Sequence, residues 1–149
     1  MTNEKNQTGD ETKIRQSINR WVEGVRAKDV GKIVPLYAPD VLLFDLAPPL
    51  QHQGVNAYRK GLEEWFPNFE GSIVVQVNDL KINLGGDVAF THSLNRLTGD
   101  KKSGEKVDIW VRVTLGFRKI NGEWLVTHEH ASVPFYMDGS FRAAVDLRP

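Results

Sequence analysis

The chain has 149 residues, a length that suits one domain with a core large enough to fold alone. Lysine plus arginine and aspartate plus glutamate each number 19, so the net charge is zero and no long-range field draws the chain to nucleic acid or an anionic membrane. The absence of cysteine excludes disulfides, thiolate metal sites and a cysteine nucleophile.

The opening MTNEKNQTGD is polar and lacks the apolar centre of a secretory leader, and no stretch approaches the roughly 20 apolar residues of a membrane span. A soluble cytoplasmic protein is therefore expected. Residues 1–10 read as a frayed tail, 11–135 as the domain and 136–149 as a C-terminal extension. Asp10 or Thr12 can cap a first helix, whose apolar positions Ile14, Ile18, Trp21, Val22 and Val25 recur at helical spacing. Asp29 can cap a second helix from Val30 to about Tyr37, although Pro35 within it predicts a short or irregular element.

The apolar run Val41 to Leu46 reads as a strand, and it carries one carboxylate, Asp45, at its end. A carboxylate there either points to water or is buried, and burial shifts its pKa unless it is paired or hydrogen-bonded. Shifted carboxylates in clefts are candidate acids, bases or ligand anchors. After the loop APPLQHQG, a third helix from Val55 to Phe66 presents Tyr58, Leu62, Trp65 and Phe66 on one side, and Pro67 marks its end.

From Ile73 the apolar period becomes two. Four strands are predicted over 72–84, 87–98, 105–119 and 123–133, separated by Gly85-Gly86, Gly99 to Gly104 and Asn121-Gly122. Asn-Gly between alternating strands signals a tight hairpin, so neighbouring strands are antiparallel. The phase slips near Asp79-Leu80, which predicts a bulge.

In the strand around residue 110, Val107, Ile109, Val111, Val113, Leu115 and Phe117 share the face expected to meet the helices. Trp110 and Arg112 lie on the other face, where a large aromatic suggests a homodimer interface. In the last strand, periodicity leaves two readings open: Trp124, Val126, His128, His130 and Ser132 inside, or Leu125, Thr127, Glu129 and Ala131 inside. His92 shares a face with Val88, Phe90 and Leu94. It is either a core histidine or the partner of Asp45 across a pocket, where a carboxylate would raise its pKa. Trp21, Tyr37, Trp65 and Phe66 are candidate pocket walls. The pair His128 and His130 suits a metal only with a third ligand, which the spacing does not require, so no metal and no cofactor is expected.

Three stretches carry a family resemblance: NRWVEGVRAKD at 19–29, LYAPD at 36–40, and NGEWLVTHEHAS at 121–132. With the strand spacing, they make residues 10–135 resemble the nuclear transport factor 2-like superfamily, in its SnoaL-like and ketosteroid-isomerase-like branch. The resemblance implies an α+β, cystatin-like fold, a cone of curved antiparallel sheet wrapped around three N-terminal helices, with a pocket at the wide end. It puts Asp45 where ketosteroid isomerases keep their proton-shuttling aspartate. Trp21 and Leu115 stand where those enzymes keep an oxyanion-binding tyrosine and a protonated aspartate, and leucine has no donor, which argues against steroid isomerisation.

The chain is also similar to the association domain of calcium/calmodulin-dependent kinase II. That relative matches Trp65, and His92, Leu115 and Ala131 fall where it has arginines. The same alignment implies that Leu125, Thr127, Glu129 and Ala131 face inward. The expectation is a small-molecule pocket protein and homodimer, with no nucleic-acid or membrane partner. Val113, Leu115 and Glu129 would line the pocket with the aromatic residues. A cofactor-free isomerase, dehydratase or hydrolase acting through Asp45 and His92 is one reading, and a non-catalytic binding or oligomerisation module is the other.

Overall fold

The computed structural model describes residues 2–149, with side chains from Gln7 onward. The tail expected over residues 1–10 lies in part outside these described side chains, and from Gln7 to Asp10 the chain is already helical. Helix α1 runs Thr2–Arg26. Asp10 does not cap it. Its carboxylate instead accepts from Trp124 Nε1 at 3.0 Å and Lys119 Nζ at 3.2 Å, tying the helix to the far end of the sheet.

The expected apolar stripe buries Ile14, Ile18 and Val25, and Trp21 and Val22 pack against the same core. Asp29 accepts from the Lys32 backbone N–H to cap α2, Val30–Ile33. Pro35 confines the next turn to a 3-10 segment, Val34–Leu36, as a residue without an N–H should. Helix α3, Val55–Trp65, likewise ends in a 3-10 turn that contains Pro67.

The strands are β1 Tyr37–Phe44, β2 His52–Gln53, β3 Phe69–Gly85, β4 Val88–Lys101, β5 Lys106–Ile120 and β6 Glu123–Ser132. They form one sheet in the order β2-β1-β6-β5-β4-β3. Strands β3 to β6 make the antiparallel meander read from the sequence, but β1 enters beside β6 in parallel, so the sheet is mixed. Asn121 and Gly122 both take positive φ in the β5–β6 turn, the geometry that Asn-Gly favours. The predicted bulge is present: the β3–β4 register shifts between Asn78 and Lys81, and Asp79 has φ 54°. Below it Ile73, Val75 and Val77 face the helices, and above it Leu80, Ile82 and Leu84 do so, which keeps apolar residues on the concave side while the strand bends.

The concave face and the three helices enclose a core that includes Leu43, Phe66, Phe69, Phe117, Trp124 and Val126. Residues 134–149 extend beyond the meander, where Phe135 bridges Ala143 and Arg148 reaches Asp108 on the convex side. No helix among the described residues is long and apolar enough to cross a membrane.

Candidate functional site

The alternation of β1 buries Val41 and Leu43 on the concave side. The next residue in that phase is Asp45, one step past the strand end, and it is exposed at the rim. Its carboxylate accepts from the Leu46 backbone N–H at 2.7 Å. Asp45 thus follows the inward phase without being buried.

The orientation of β6 is decided by a second bulge. The β5–β6 register shifts between Gly116 and Phe117, so Phe117 pairs with Val126 while Gly116 pairs with His128, and Thr127 is the extra residue. Trp124 and Val126 are therefore buried in the core before the bulge. After it Glu129 and Ala131 point inward, opposite Leu115 and Val113. Each alternative for this strand describes one half of it. The inward Leu125 and Thr127 implied by the resemblance are corrected by the bulge, as are the inward His128 and His130 of the other reading.

Glu129 is the centre of a polar network that crosses the concave side. Tyr37 Oη donates to its Oε1 at 2.7 Å. The Tyr37 and Tyr58 rings meet edge to face, 4.3 Å between centroids. Trp21 Nε1 donates to Tyr58 Oη at 2.9 Å. Four elements contribute: Trp21 from α1, Tyr37 from β1, Tyr58 from α3 and Glu129 from β6.

Burial of the carboxyl raises the Glu129 pKa to about 7, the Tyr37 hydrogen bond opposes that rise, and the negative charge of Asp45 adds to it. Burial also pushes both tyrosines well above their ordinary value, and the Glu129 charge pushes in the same direction, so both remain neutral donors. The arrangement combines a carboxyl that exchanges a proton near neutral pH, two neutral phenols and a rim carboxylate.

The other sequence-derived candidates fall into three places. Leu115 and Val113 are on the concave face beside Glu129, both partly exposed. Trp65 packs against Phe66 at a tilt and against Phe69 edge to face, at 5.4 and 5.5 Å between centroids, and Phe66 is buried in the core. His92 does not face Asp45. It is exposed on the convex side, beside Lys81 and Thr114 in the ladder, while its neighbour Thr91 is only 1% exposed. The physical reason is register: the two-residue turn after Gly85 pairs Leu84 with Ala89 and Ile82 with Thr91, and cross-strand partners share a face.

Trp110, Arg112, His128 and His130 are all on the convex side of the sheet. Arg112 Nε donates to Ser132 Oγ at 3.2 Å. His128 Nδ1 lies 2.7 Å from the Leu42 carbonyl, and Phe44 packs edge-on to both histidines at 4.8 and 5.4 Å. Asp108, on the same side, is held by Arg96 through two bonds of 2.9 and 2.8 Å.

Sequence reasoning placed Tyr58 in the core without a polar role, and it missed the concave row Thr91, Ser93 and Asn95. The signal for that row was the hairpin register, which outranks the more apolar look of Val88, Phe90 and Leu94. An open groove of about 550 Å³, lined by Gln16, Asn19, Arg20, Glu23 and Lys32, lies on the opposite side of α1 from Ile14, Ile18 and Val25. Its residues are all exposed, and it shares none with the network.

A sequence profile of the SnoaL-like domain matches residues 14–136. An NTF2-like protein of unknown function from Pseudomonas putida is 37% identical over 95% of this chain and 98% of its own, with a TM-score of 0.86. A candidate scytalone dehydratase from Novosphingobium aromaticivorans is 18% identical over 97% and 95%, with a TM-score of 0.78. A candidate calcium/calmodulin-dependent kinase II association domain from Xanthomonas campestris is 22% identical over 80% and 84%, with a TM-score of 0.70. The last two establish likeness of fold alone. No curated protein matches the chain. The profile covers most of the sequence in the same span as the cone, and the chain belongs to the SnoaL-like family.

Proposed function

We propose that this protein binds a small, largely apolar molecule at the open end of the cone and converts it by cofactor-free acid–base chemistry, either isomerisation or dehydration. The observation that carries this reading is Glu129, a buried carboxyl with a pKa raised to about 7, held by Tyr37 on the concave face. A general acid or base is most effective when its pKa lies near the working pH. Apolar Leu115, Val113 and Ala131 surround it on the same face and remain partly exposed there, which suits an apolar ligand.

In this scheme the Glu129 carboxylate takes a proton from the carbon next to a ligand carbonyl, leaving an enolate. Tyr58, polarised by the Trp21 N–H, donates to the enolate oxygen. Isomerisation returns the proton to a different carbon. Dehydration instead expels a β-hydroxyl, which leaves as water with a proton from the protonated carboxyl. Asp45, at the rim, keeps Glu129 basic enough to act through its negative charge. This scheme assigns no step to His92, which is exposed on the convex side.

The test is deuterium exchange of 4-phenylcyclohexanone in D2O, read by proton NMR for wild type, Glu129→Gln and Tyr58→Phe. Exchange above buffer in wild type, reduced on the order of a hundredfold by either substitution, is expected. Wild-type exchange no faster than in buffer refutes the enzymatic reading.

The same reading includes a homodimer through the convex face. Val88 and Phe90 are each about half exposed there, and Trp110 Nε1 on that face is buried with no acceptor among the described residues. Light scattering with size-exclusion chromatography distinguishes dimer from monomer, and a monomer at high micromolar concentration rejects this part.

A further inference from the structure

Asn95 is on the concave face of β4, paired with Val77 on one side and Val111 on the other. It is 7% exposed, one of three polar residues buried among the described residues. Ser93 Oγ donates to its Oδ1 at 2.8 Å, which fixes the amide with Nδ2 turned away from the serine. Among the described residues Nδ2 meets no acceptor, yet it is not one of the fully enclosed orphan atoms, so it reaches accessible space on the concave side. A polar side chain in the buried set calls for a reason, and a donor that opens on accessible space is free to meet a ligand acceptor.

We propose that Asn95 Nδ2 is a specificity donor for the ligand of this site, and that it selects a neutral molecule carrying an acceptor oxygen at the end remote from the reacting carbon. This inference rests on the proposed function and names the substrate class. The collar of Val77 and Val111 excludes a charged oxygen, which would be desolvated there without a counter-charge, and favours a ketone, ether or similar acceptor on an apolar body.

The ladder sets the length. Glu129 pairs with Leu115, and Leu115 with Thr91, so Glu129 and Thr91 are two strand spacings apart, about 10 Å. Asn95 is four residues further along β4, about 13 Å. The flat-sheet diagonal is about 16 Å, and curvature of the sheet shortens it. A molecule that touches both ends is elongated, about the size of two linked rings. An analogue without the remote oxygen leaves the donor unpaired, and a site built around a hydrogen bond discriminates strongly against such an analogue.

The test compares two ketones of the same shape: 4-(4-methoxyphenyl)cyclohexanone, which carries an ether oxygen at the end remote from the carbonyl, and 4-(4-ethylphenyl)cyclohexanone, which has a methylene in its place. The methoxy ketone should bind wild type about ten- to a hundredfold more tightly. It should also shift the Asn95 side-chain amide in 15N-correlated NMR, and the ethyl analogue should not. In Asn95→Leu the preference should collapse to about one, with the affinity of the ethyl analogue unchanged.

Two probes that bind while the wild-type Asn95 amide stays unmoved at saturation overturn this proposal and leave the proposed function standing. A preference retained in Asn95→Leu overturns it as well. Failure of both probes to bind removes the apolar site and this proposal together. If Asn95→Leu does not fold, the wild-type amide shift decides alone.

Discussion

Glu129→Gln separates the charge of Glu129 from its shape. The amide keeps an oxygen for Tyr37 to donate to, so the hydrogen bond of 2.7 Å has a counterpart in the variant. It removes the only ionisation at the centre of the network. In the unfolded chain Glu129 titrates near its ordinary 4.5, while in the folded chain it holds its proton until about 7. Between these values the folded state binds a proton that the unfolded state has released, so stability falls as pH rises through this window and levels off above about 7.

The rise corresponds to about 3 kcal/mol, the cost of holding a charged carboxylate in this setting, and the variant does not incur it. Urea unfolding at intervals from pH 4 to 9 should therefore show variant and wild type nearly equal at pH 4. The variant should gain progressively to about 3 kcal/mol by pH 8, equivalent to about 10 °C in Tm. Because other groups titrate alike in both proteins, the difference isolates Glu129. The same substitution should reduce ketone exchange on the order of a hundredfold, so stability and activity move in opposite directions. A stability difference that stays constant with pH refutes the reasoning, as does a Glu129 carboxyl that titrates near 4.5 in carbon-13 NMR.

Asp45→Asn should lower the Glu129 pKa, because the Asp45 charge is one of the forces raising it, and an unchanged midpoint in the same NMR titration would put Asp45 out of reach. Asp10→Ala strands the Trp124 N–H at a site where that residue is 6% exposed, and should cost about 1–3 kcal/mol in urea unfolding. The Asp10 pKa is lowered chiefly by that hydrogen bond, so its contribution is present above the ordinary 3.8 and is lost as pH falls through the lower folded value; the cost of the variant should shrink there. Gly24→Ala would place a Cβ 2.6 Å from Cγ1 of the fully buried Ile33 and should destabilise by about 1–3 kcal/mol. Gly9→Ala, with nothing within 4 Å, should instead stabilise α1 by up to about 1 kcal/mol, and equal effects at the two glycines would contradict the packing described.

Much of the architecture is local and was legible for that reason. The stripe Ile14, Ile18, Val25, the proline-limited ends of α2 and α3, the Asn121-Gly122 turn and the Asp79 bulge each follow from a few neighbouring residues and their backbone preferences. Family membership was legible too, because the motifs at 19–29, 36–40 and 121–132 keep their order and spacing.

The candidate site was harder, because it depends on which face a strand presents. A one-residue change of phase turns every side chain over. In β4 the more apolar set, Val88, Phe90 and Leu94, is the convex one, and only pairing with β3 turns Thr91 and Asn95 inward. In β6 the Thr127 bulge puts both Val126 and Glu129 inside, which no uninterrupted alternation allows. The sequence alone determined that a carboxylate, two tyrosines and a tryptophan lie on elements that surround one cone. Tertiary structure alone decided that Glu129, rather than Asp45 with His92, is desolvated at the centre of them, because desolvation depends on residues up to 92 positions away.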